Sequence, residues 1–410
     1  MLGLGLSPSQ VAVRRAARIL APPPLAFALN GSTNPKLKAM LARVKAGTGR
    51  GLILVKGTSL EVGCGGAITA NGTSSSVASQ LVNARPYRPA AVLAGLATAA
   101  GYPCFDDSMV GDNNVTPYTT LSIYDPRISF PSGVWTAAGS TTSPNSFPFA
   151  GANYLNGTGF GPLVFTPDVG ANTFIVDVYN VGGAFTFSVN GAAPTSITAP
   201  GATISGNTVT APSSSSGFTR ITVVGGLGTT GLSVTPGTNA LLRSITGYNS
   251  ATPAIDMLVH ASNGSLSSDQ AAESSGNHWY NNDALAFDAP DLTLIAVGTN
   301  DCSQGVPIAT FIANVQTIVN TARLSGDAAV YWTTAANPAT FSTAAAQGNY
   351  RDALASWAAS NNVAFWDQLT KFGDWSVIGP RTADQTVHPN RGLYADIGAY
   401  NWSCVQAMAA

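Results

Sequence analysis

Charge is the scarcest ingredient of this chain. Lys, Arg, Asp and Glu make up 10% of its 410 residues, against about 25% in an ordinary globular protein. The 19 basic and 20 acidic residues nearly cancel, leaving a net charge of −1, with no basic run and no acidic tail. Phosphate backbones are bound by clustered Lys and Arg, so nucleic acid is not an expected partner. Long apolar runs are also missing. No stretch approaches the roughly 18 apolar residues of a membrane span, so no transmembrane helix is expected. Cysteine is sparse: Cys64, Cys104, Cys302 and Cys404 show no CxxC spacing. That argues against a zinc site and leaves room for one or two disulfides. Histidine is sparser still, with His260, His278 and His388 only. Any chemistry that needs an imidazole has three candidates.

Apolar side chains and glycine fill the gap. Hydrophobic residues make up 45% of the chain, enough for a sizeable core, and there are 43 glycines. A surface of small polar residues suits a β-rich extracellular or phage-particle protein. The opening "MLGLGLSPSQVAVRRAARILAPPPLAFALNGS" mimics a signal peptide only in outline. Arg14, Arg15 and Arg18 come late, and Pro22, Pro23 and Pro24 break the apolar stretch. It reads as mature sequence, or as a segment packing on something else.

Texture divides the chain. Residues 1–50 read as an N-terminal extension. GLILV (51–55) predicts a short buried strand, and YRPAAVLAGLATAAGYP (87–103) has helical spacing with a Gly-Tyr-Pro stop. From 105 to 248, short Val/Ile/Phe/Thr runs alternate with Gly, Asn, Ser and Pro. Within it, 173–197 reads as a hairpin around Gly182-Gly183 followed by an Asn190-Gly191 turn. Strands so spaced predict a β-sandwich. After 250, strand-length apolar runs at 254–262, 291–298, 328–334 and 363–369 are joined by helical patterns at 308–324 and 344–360. A last helix is predicted at 393–409. Strands alternating with helices imply a parallel sheet covered on both faces. The expected fold is therefore α/β, a three-layer α/β/α sandwich in two pieces, 51–104 and 249–410. An all-β insert at 105–248 interrupts it.

Ligands of open α/β sheets gather beyond the carboxyl ends of the strands. After the first strand comes Lys56-Gly57-Thr58-Ser59. This is not a phosphate-cradling P-loop, whose Lys follows the last glycine, nor a G-x-S-x-G elbow, since Glu61 stands two after Ser59. After the second comes His260-Ala261-Ser262-Asn263-Gly264-Ser265, and after the third Gly298-Thr299-Asn300-Asp301. Asp384-Gln385-Thr386-Val387-His388-Pro389-Asn390 precedes the last helix. Acyl transfer needs a nucleophile, a base and oxyanion donors. Ser59 can supply the first and His388 the second. The backbone N–H groups of Ser59 and Gly264 and the amide of Asn300 can supply the third.

Gly-x-Ser, a later Gly, G-x-N-D and a terminal H-P-N in this order resemble the four blocks of the SGNH (GDSL-type) serine hydrolases. The resemblance covers roughly 51–103 and 250–410. It implies a flavodoxin-like sheet, an esterase with a Ser-His(-Asp) acyl-enzyme mechanism, and no metal or other cofactor. Some members carry a comparable β module, so the insert is expected to be jelly-roll-like and carbohydrate-binding. The expected substrate is a short acyl ester, chiefly acetyl on carbohydrate. A carboxylesterase or lipase, or a non-catalytic glycan-binding protein of the same fold, is the alternative. Two positions depart from the pattern. Thr58 replaces the usual Asp. The place three before the histidine holds Gln385, with Asp384 one further out. Asp384, Gln385 or a water could orient His388, and Asp384 is the choice made.

Simpler roles compete at each position. Ser59 could cap a helix, and Asn300 and Asp301 could form an Asx-turn. Asp301 is expected to brace its loop, and Cys302 to fill space. His260 and His278 are expected to be structural or substrate-lining. Tyr118, Tyr124 and Trp135 could line a sugar cleft in the insert, and Trp279, Tyr280 and Trp375 could line the site.

Overall fold

The computed structural model describes residues 26–70, 72, 80, 83–106, 125–129, 131, 154–155, 161–237, 240–272 and 281–410. Tyr118, Tyr124, Trp135, His278, Trp279 and Tyr280 lie outside the described residues.

The first half of the α/β part runs β1 (Phe27–Ala28), α1 (Pro35–Lys45), β2 (Gly51–Gly57), α2 (Ser59–Val62), α3 (Pro89–Ala99) and β3 (Cys104–Phe105). An all-β part follows: β4 (Ile128–Ser129), β5 (Tyr154–Leu155), β6 (Leu163–Phe165), β7 (Ala171–Val181), β8 (Ala184–Val189), β9 (Ser196–Thr198), β10 (Thr203–Ser205), β11 (Thr208–Thr210), β12 (Ser213–Gly228), β13 (Leu232–Pro236) and β14 (Ala240–Tyr248). The α/β texture then resumes with β15 (Ile255–Ala261), α4 (Ser267–Ala271), α5 (Asn282–Asp288), β16 (Leu292–Ile295), α6 (Thr299–Gln304), α7 (Ile308–Ala322), β17 (Asp327–Trp332) and α8 (Ala344–Ser360). It closes with β18 (Ala364–Asp367), α9 (Gln368–Phe372), α10 (Trp375–Ile378) and α11 (Arg391–Ala409).

A seven-stranded sheet in the order β1-β18-β17-β16-β2-β15-β3 carries the α/β part. All its pairings are parallel except β1 with β18. β2 lies near its centre, buried on both faces, which is why its sequence is a continuous apolar run rather than an alternation. One face packs Ile53, Val55, Met257 and Val259 against α1, α3 and α11. The other packs Leu54, Leu258, Ile295 and Val330 against Phe311 and Val315 of α7 and Leu354 of α8. Of the segment read as an N-terminal extension, residues 1–50, the described part packs on the α/β sheet. β1 extends the sheet edge, and α1 buries Leu37, Met40, Leu41 and Val44 at helical spacing. Among the described residues, no helix is long and apolar enough to cross a membrane.

The all-β part forms one six-stranded and one five-stranded antiparallel sheet. They share a core that includes Phe165, Phe174, Val176, Val178, Phe187 and Val234. On β7 the alternate residues behave differently from a solvent-facing row. Asp177 and Tyr179 are buried, and Tyr179 packs in the same cluster as Leu54 and Leu258 of the α/β part. The β7/β12/β14 sheet is thus buried on its second face too, against the α/β sheet.

An ion cluster lies in this contact. Arg243 of β14 donates to Asp288 Oδ1 of α5 at 3.0 Å and to Asp177 Oδ2 at 3.2 Å, with His260 Nε2 of β15 at 2.8 Å from its Nη2. Arg220 of β12 bridges the same two aspartates at 2.9 and 2.8 Å. Burial pushes His260 down to about 4, against the pull of Asp288, so it is neutral at physiological pH. Lys56 sits beside this cluster and donates to the Asn281 carbonyl at 3.2 Å. Burial, together with Arg243 and against the pull of Asp288, lowers Lys56 to about 7. Removing one partner of a buried ion pair leaves an uncompensated charge. Arg243→Met is therefore expected to cost about 3–5 kcal/mol of stability, read as a lower denaturant midpoint. An unchanged midpoint would show that the cluster contributes nothing to the contact between the two parts.

Candidate active site

Register places the ends of three strands side by side. Gly57, the last residue of β2, pairs with Ala261 at the end of β15, and Lys56 pairs with Ile295 at the end of β16. The strand order switches sides at β2: β3 and then β15 are laid down on one side, and β16, β17 and β18 on the other. Doubly wound sheets open a crevice at such a reversal, beyond the carboxyl ends of the strands.

Ser59 opens the four-residue helix α2 directly beyond β2 and is buried. Its Oγ lies 2.8 Å from His388 Nε2, across 329 positions of sequence. His388 Nδ1 lies 2.6 Å from Asp384 Oδ2. A carboxylate only accepts, so Nδ1 carries the proton, and Nε2 is left to accept from the serine hydroxyl.

The loop bearing His388 is tightly folded. Ala383 N–H donates to the His388 carbonyl at 2.7 Å, and Asn390 N–H to the Arg381 carbonyl at 2.8 Å. Asn390 then caps α11 by accepting from Leu393 N–H at 3.1 Å. Asp384 Oδ1 gathers the N–H groups of Thr386, Val387 and His388 at 2.9, 3.1 and 3.2 Å. Burial opposes charge on Asp384, but the hydrogen bond and charge of His388 and the bonds from Thr386 win. They hold the carboxyl well below the usual carboxylate range.

The extra residue between acid and histidine is absorbed by Gln385, which takes the left-handed conformation at φ 59°. Its amide packs against Gly72, and among the described residues it makes no hydrogen bond to His388. The start of α11 ties this loop to the one following α2. Arg391 N–H donates to the Ile68 carbonyl at 2.9 Å, and Tyr394 Oη to the Cys64 carbonyl at 3.0 Å.

The other two loops are joined to each other. Asn300 lies in the first turn of α6, and its Nδ2 donates to the Ser265 carbonyl at 2.9 Å, leaving a second N–H. Gly298 precedes it at φ 116°, where a Cβ would stand 2.7 Å from Phe311 Cε2, so only glycine fits this turn. Asp301 braces the loop after β15, accepting from Ser267 N at 2.9 Å and Ser267 Oγ at 2.5 Å. Gly264 adopts φ 75° with open space where a side chain would be. Trp375 is half-buried against Ile378 and Tyr394. All four cysteines are free and buried, so neither of the disulfides allowed for above forms. Two further residues touch the backbone before Ser59, and only the second has a signal in the sequence, the Thr58-x-x-Glu61 spacing of a capping box. Gln270 donates to the Gly57 carbonyl at 2.8 Å, and Glu61 accepts from Thr58 N–H at 3.0 Å.

The mixed α/β fold and the family match that follows place the chain in a class, the enzymes that hydrolyse esters. A GDSL-like lipase/acylhydrolase family description matches residues 196–395, a span that holds Asn300, Asp384 and His388 but not Ser59. Over that span the chain is similar to the GDSL-like lipase/acylhydrolase family. Among solved structures, a peptidoglycan O-acetylesterase is similar over 93% of this chain and 99% of its own, at 17% identity and a TM-score of 0.63, which is a likeness of fold. A putative lipolytic protein of the G-D-S-L family from Desulfitobacterium hafniense DCB-2 is similar over 36% of this chain and 80% of its own, at 18% identity and a TM-score of 0.30. A carbohydrate esterase family 3 from Talaromyces cellulolyticus is similar over 37% and 72%, at 15% identity and a TM-score of 0.29. Comparison with curated protein sequences gives no match.

Proposed function

We propose that the protein is a serine esterase that removes short acyl groups, chiefly acetyl, from a carbohydrate. Ser59 Oγ attacks the ester carbonyl as His388 Nε2 takes its proton. Asp384 holds the imidazole in the required tautomer and stabilises the imidazolium. The tetrahedral oxyanion is met by the N–H groups of Ser59 and Gly264 and by the Asn300 amide. His388 returns the proton to the leaving alcohol, and water repeats the cycle on the acyl-enzyme. The observation that carries this reading is the Asp384–His388–Ser59 series, at 2.6 and 2.8 Å.

The α/β part is read as flavodoxin-like and the two antiparallel sheets as a jelly-roll-like glycan-gripping module. The similar peptidoglycan O-acetylesterase motivates the acetyl and glycan parts of the proposal. Acetate release from a panel of acetylated glycans, run beside short- and long-chain nitrophenyl esters, tests it. Preference for long acyl chains with no glycan turnover would replace it with a lipase. A fluorophosphonate that fails to label the folded protein would favour a non-catalytic glycan binder. Thr58, where the family places Asp, is the feature that keeps this second reading in view.

Asn300→Ala is expected to lower kcat by about 10²–10³-fold with a smaller change in KM, the usual loss for one oxyanion donor. An unchanged kcat would remove Asn300 from the oxyanion site.

A further inference from the structure

The peptide between Gly57 and Thr58 is gripped on both sides. Its carbonyl accepts from Gln270 Nε2 at 2.8 Å and from Ser262 N–H at 3.2 Å. Its N–H donates to Glu61 Oε2 at 3.0 Å. Glu61 reaches back over its own helix to do this, and Gly57 makes room. A Cβ at Gly57 would stand 2.4 Å from Glu61 Oε2. The carboxyl is itself held from across the sheet. Tyr331 Oη of β17 donates to Glu61 Oε1 at 3.3 Å, and the Tyr331 ring stacks on Trp366 of β18 with centroids 5.0 Å apart. Trp366 Nε1 donates to Asn401 of α11 at 3.0 Å. Gln270 and Glu61 are both fully buried, though neither belongs to the acyl-transfer series.

We propose that Gln270 and Glu61 are positioning residues that clamp the Gly57–Thr58 peptide and so aim the Ser59 hydroxyl and N–H. We further propose that turnover falls when the Glu61 carboxyl gains its charge. This rests on Ser59 being the nucleophile. The peptide plane fixes where the next residue's backbone starts, and misplacement of an attacking group by about 1 Å can cost 10²-fold. A neutral carboxyl can hold Thr58 N–H, one residue before the Ser59 N–H, without adding a charge there, whereas an anion opposes the charge that develops on the oxyanion. Burial pushes Glu61 up to about 8, against the opposing pull of the Thr58 N–H and the Tyr331 hydroxyl.

Among the described residues, few charged groups face it. Tyr331 is the titratable side chain in contact, and its own value is raised well above 10 by burial and by Glu61. His388 faces Ser59. Arg88 packs on Gly63 with its guanidinium bonded to Asp106.

The test measures kcat and KM for nitrophenyl acetate across roughly pH 6 to 10, with Ser59→Ala as the background. Wild-type kcat should fall with a midpoint of about 8. Normalised to its value at neutral pH, Glu61→Gln should lose that fall, because an amide does not ionise. Tyr331→Phe should move it to higher pH, because a donor that favours the carboxylate is gone, and this arm stands if Glu61→Gln does not fold. Gln270→Leu should lower kcat by about 10²-fold with little change in KM. A wild-type profile without the fall, or a fall unmoved in both Glu61→Gln and Tyr331→Phe, overturns the role of the charge. Wild-type kcat in Gln270→Leu overturns the clamp. Fluorophosphonate labelling separates the two failures. A label on Ser59 with unmoved profiles overturns this proposal alone, and no label overturns the nucleophile reading and this one together.

Discussion

Ser59→Ala and His388→Ala are each expected to lower kcat by about 10⁶-fold, and the double variant no further. In the proposed mechanism the two groups work as a unit, so removing either removes the step both perform. What remains should be about 10³–10⁴ over water, supplied by the oxyanion donors and by binding. Neither change should unfold the protein. Ser59 Oγ bonds His388 within a site already knitted by backbone contacts, from Ala383 to His388 and from Asn390 to Arg381. The check is turnover of nitrophenyl acetate on samples whose melting curves overlay the wild type. A Ser59→Ala protein that stays folded and hydrolyses the ester at a comparable rate would end the assignment. Loss in Ser59→Ala with retention in His388→Ala would leave the serine and call for another base.

Local pattern carried much of the fold. The helical spacing read at 344–360 coincides with α8, because residues of one face must recur at helical intervals and that is visible within one window. The apolar run of β2 and the hairpin of β7 and β8 were legible for the same reason. Edge pairing was not. Phe27–Ala28 is too short to show a period, and its place is set by Trp366 and Phe365, more than 300 residues away. Charge pairing across the two parts was also hidden. Asp177, Arg243 and Asp288 sit on three separate elements and meet only because the β7/β12/β14 sheet is covered on both faces.

The candidate site divides in the same way. Ser59, Asn300 and His388 stand at strand ends or before a helix, where the sequence marks them. Gln270 reads as an ordinary polar residue of a short helix, because its partner is a backbone atom, and Glu61 carries only the Thr58-x-x-Glu61 spacing of a capping box, which says nothing of its hold on Tyr331. Asp384 rather than Gln385 lies beside His388 Nδ1 because the backbone turns left-handed at Gln385, a dihedral angle that no spacing rule supplies.

That choice yields the second large effect. Asp384→Asn is expected to lower kcat by about 10⁴-fold, and Gln385→Ala by less than about tenfold. An asparagine can present its N–H₂ to Nδ1 and so favour the tautomer with the proton on Nε2, which cannot accept from Ser59. It also withholds the negative charge that stabilises the imidazolium. Gln385 offers His388 nothing comparable, since its side-chain amide lies against Gly72, while its backbone carbonyl accepts from Asn337 Nδ2 at 2.9 Å. Asp384 should show in stability as well. Its folded value lies below the ordinary 3.8, so its contribution is complete at neutral pH and is lost as pH falls through the folded value. Asp384→Asn should therefore flatten the acid side of the stability curve while abolishing turnover at neutral pH. Should Gln385→Ala prove the more damaging change, the amide would be the orienting group. The left-handed turn at Gln385 would then have to open in the working enzyme to bring it to Nδ1.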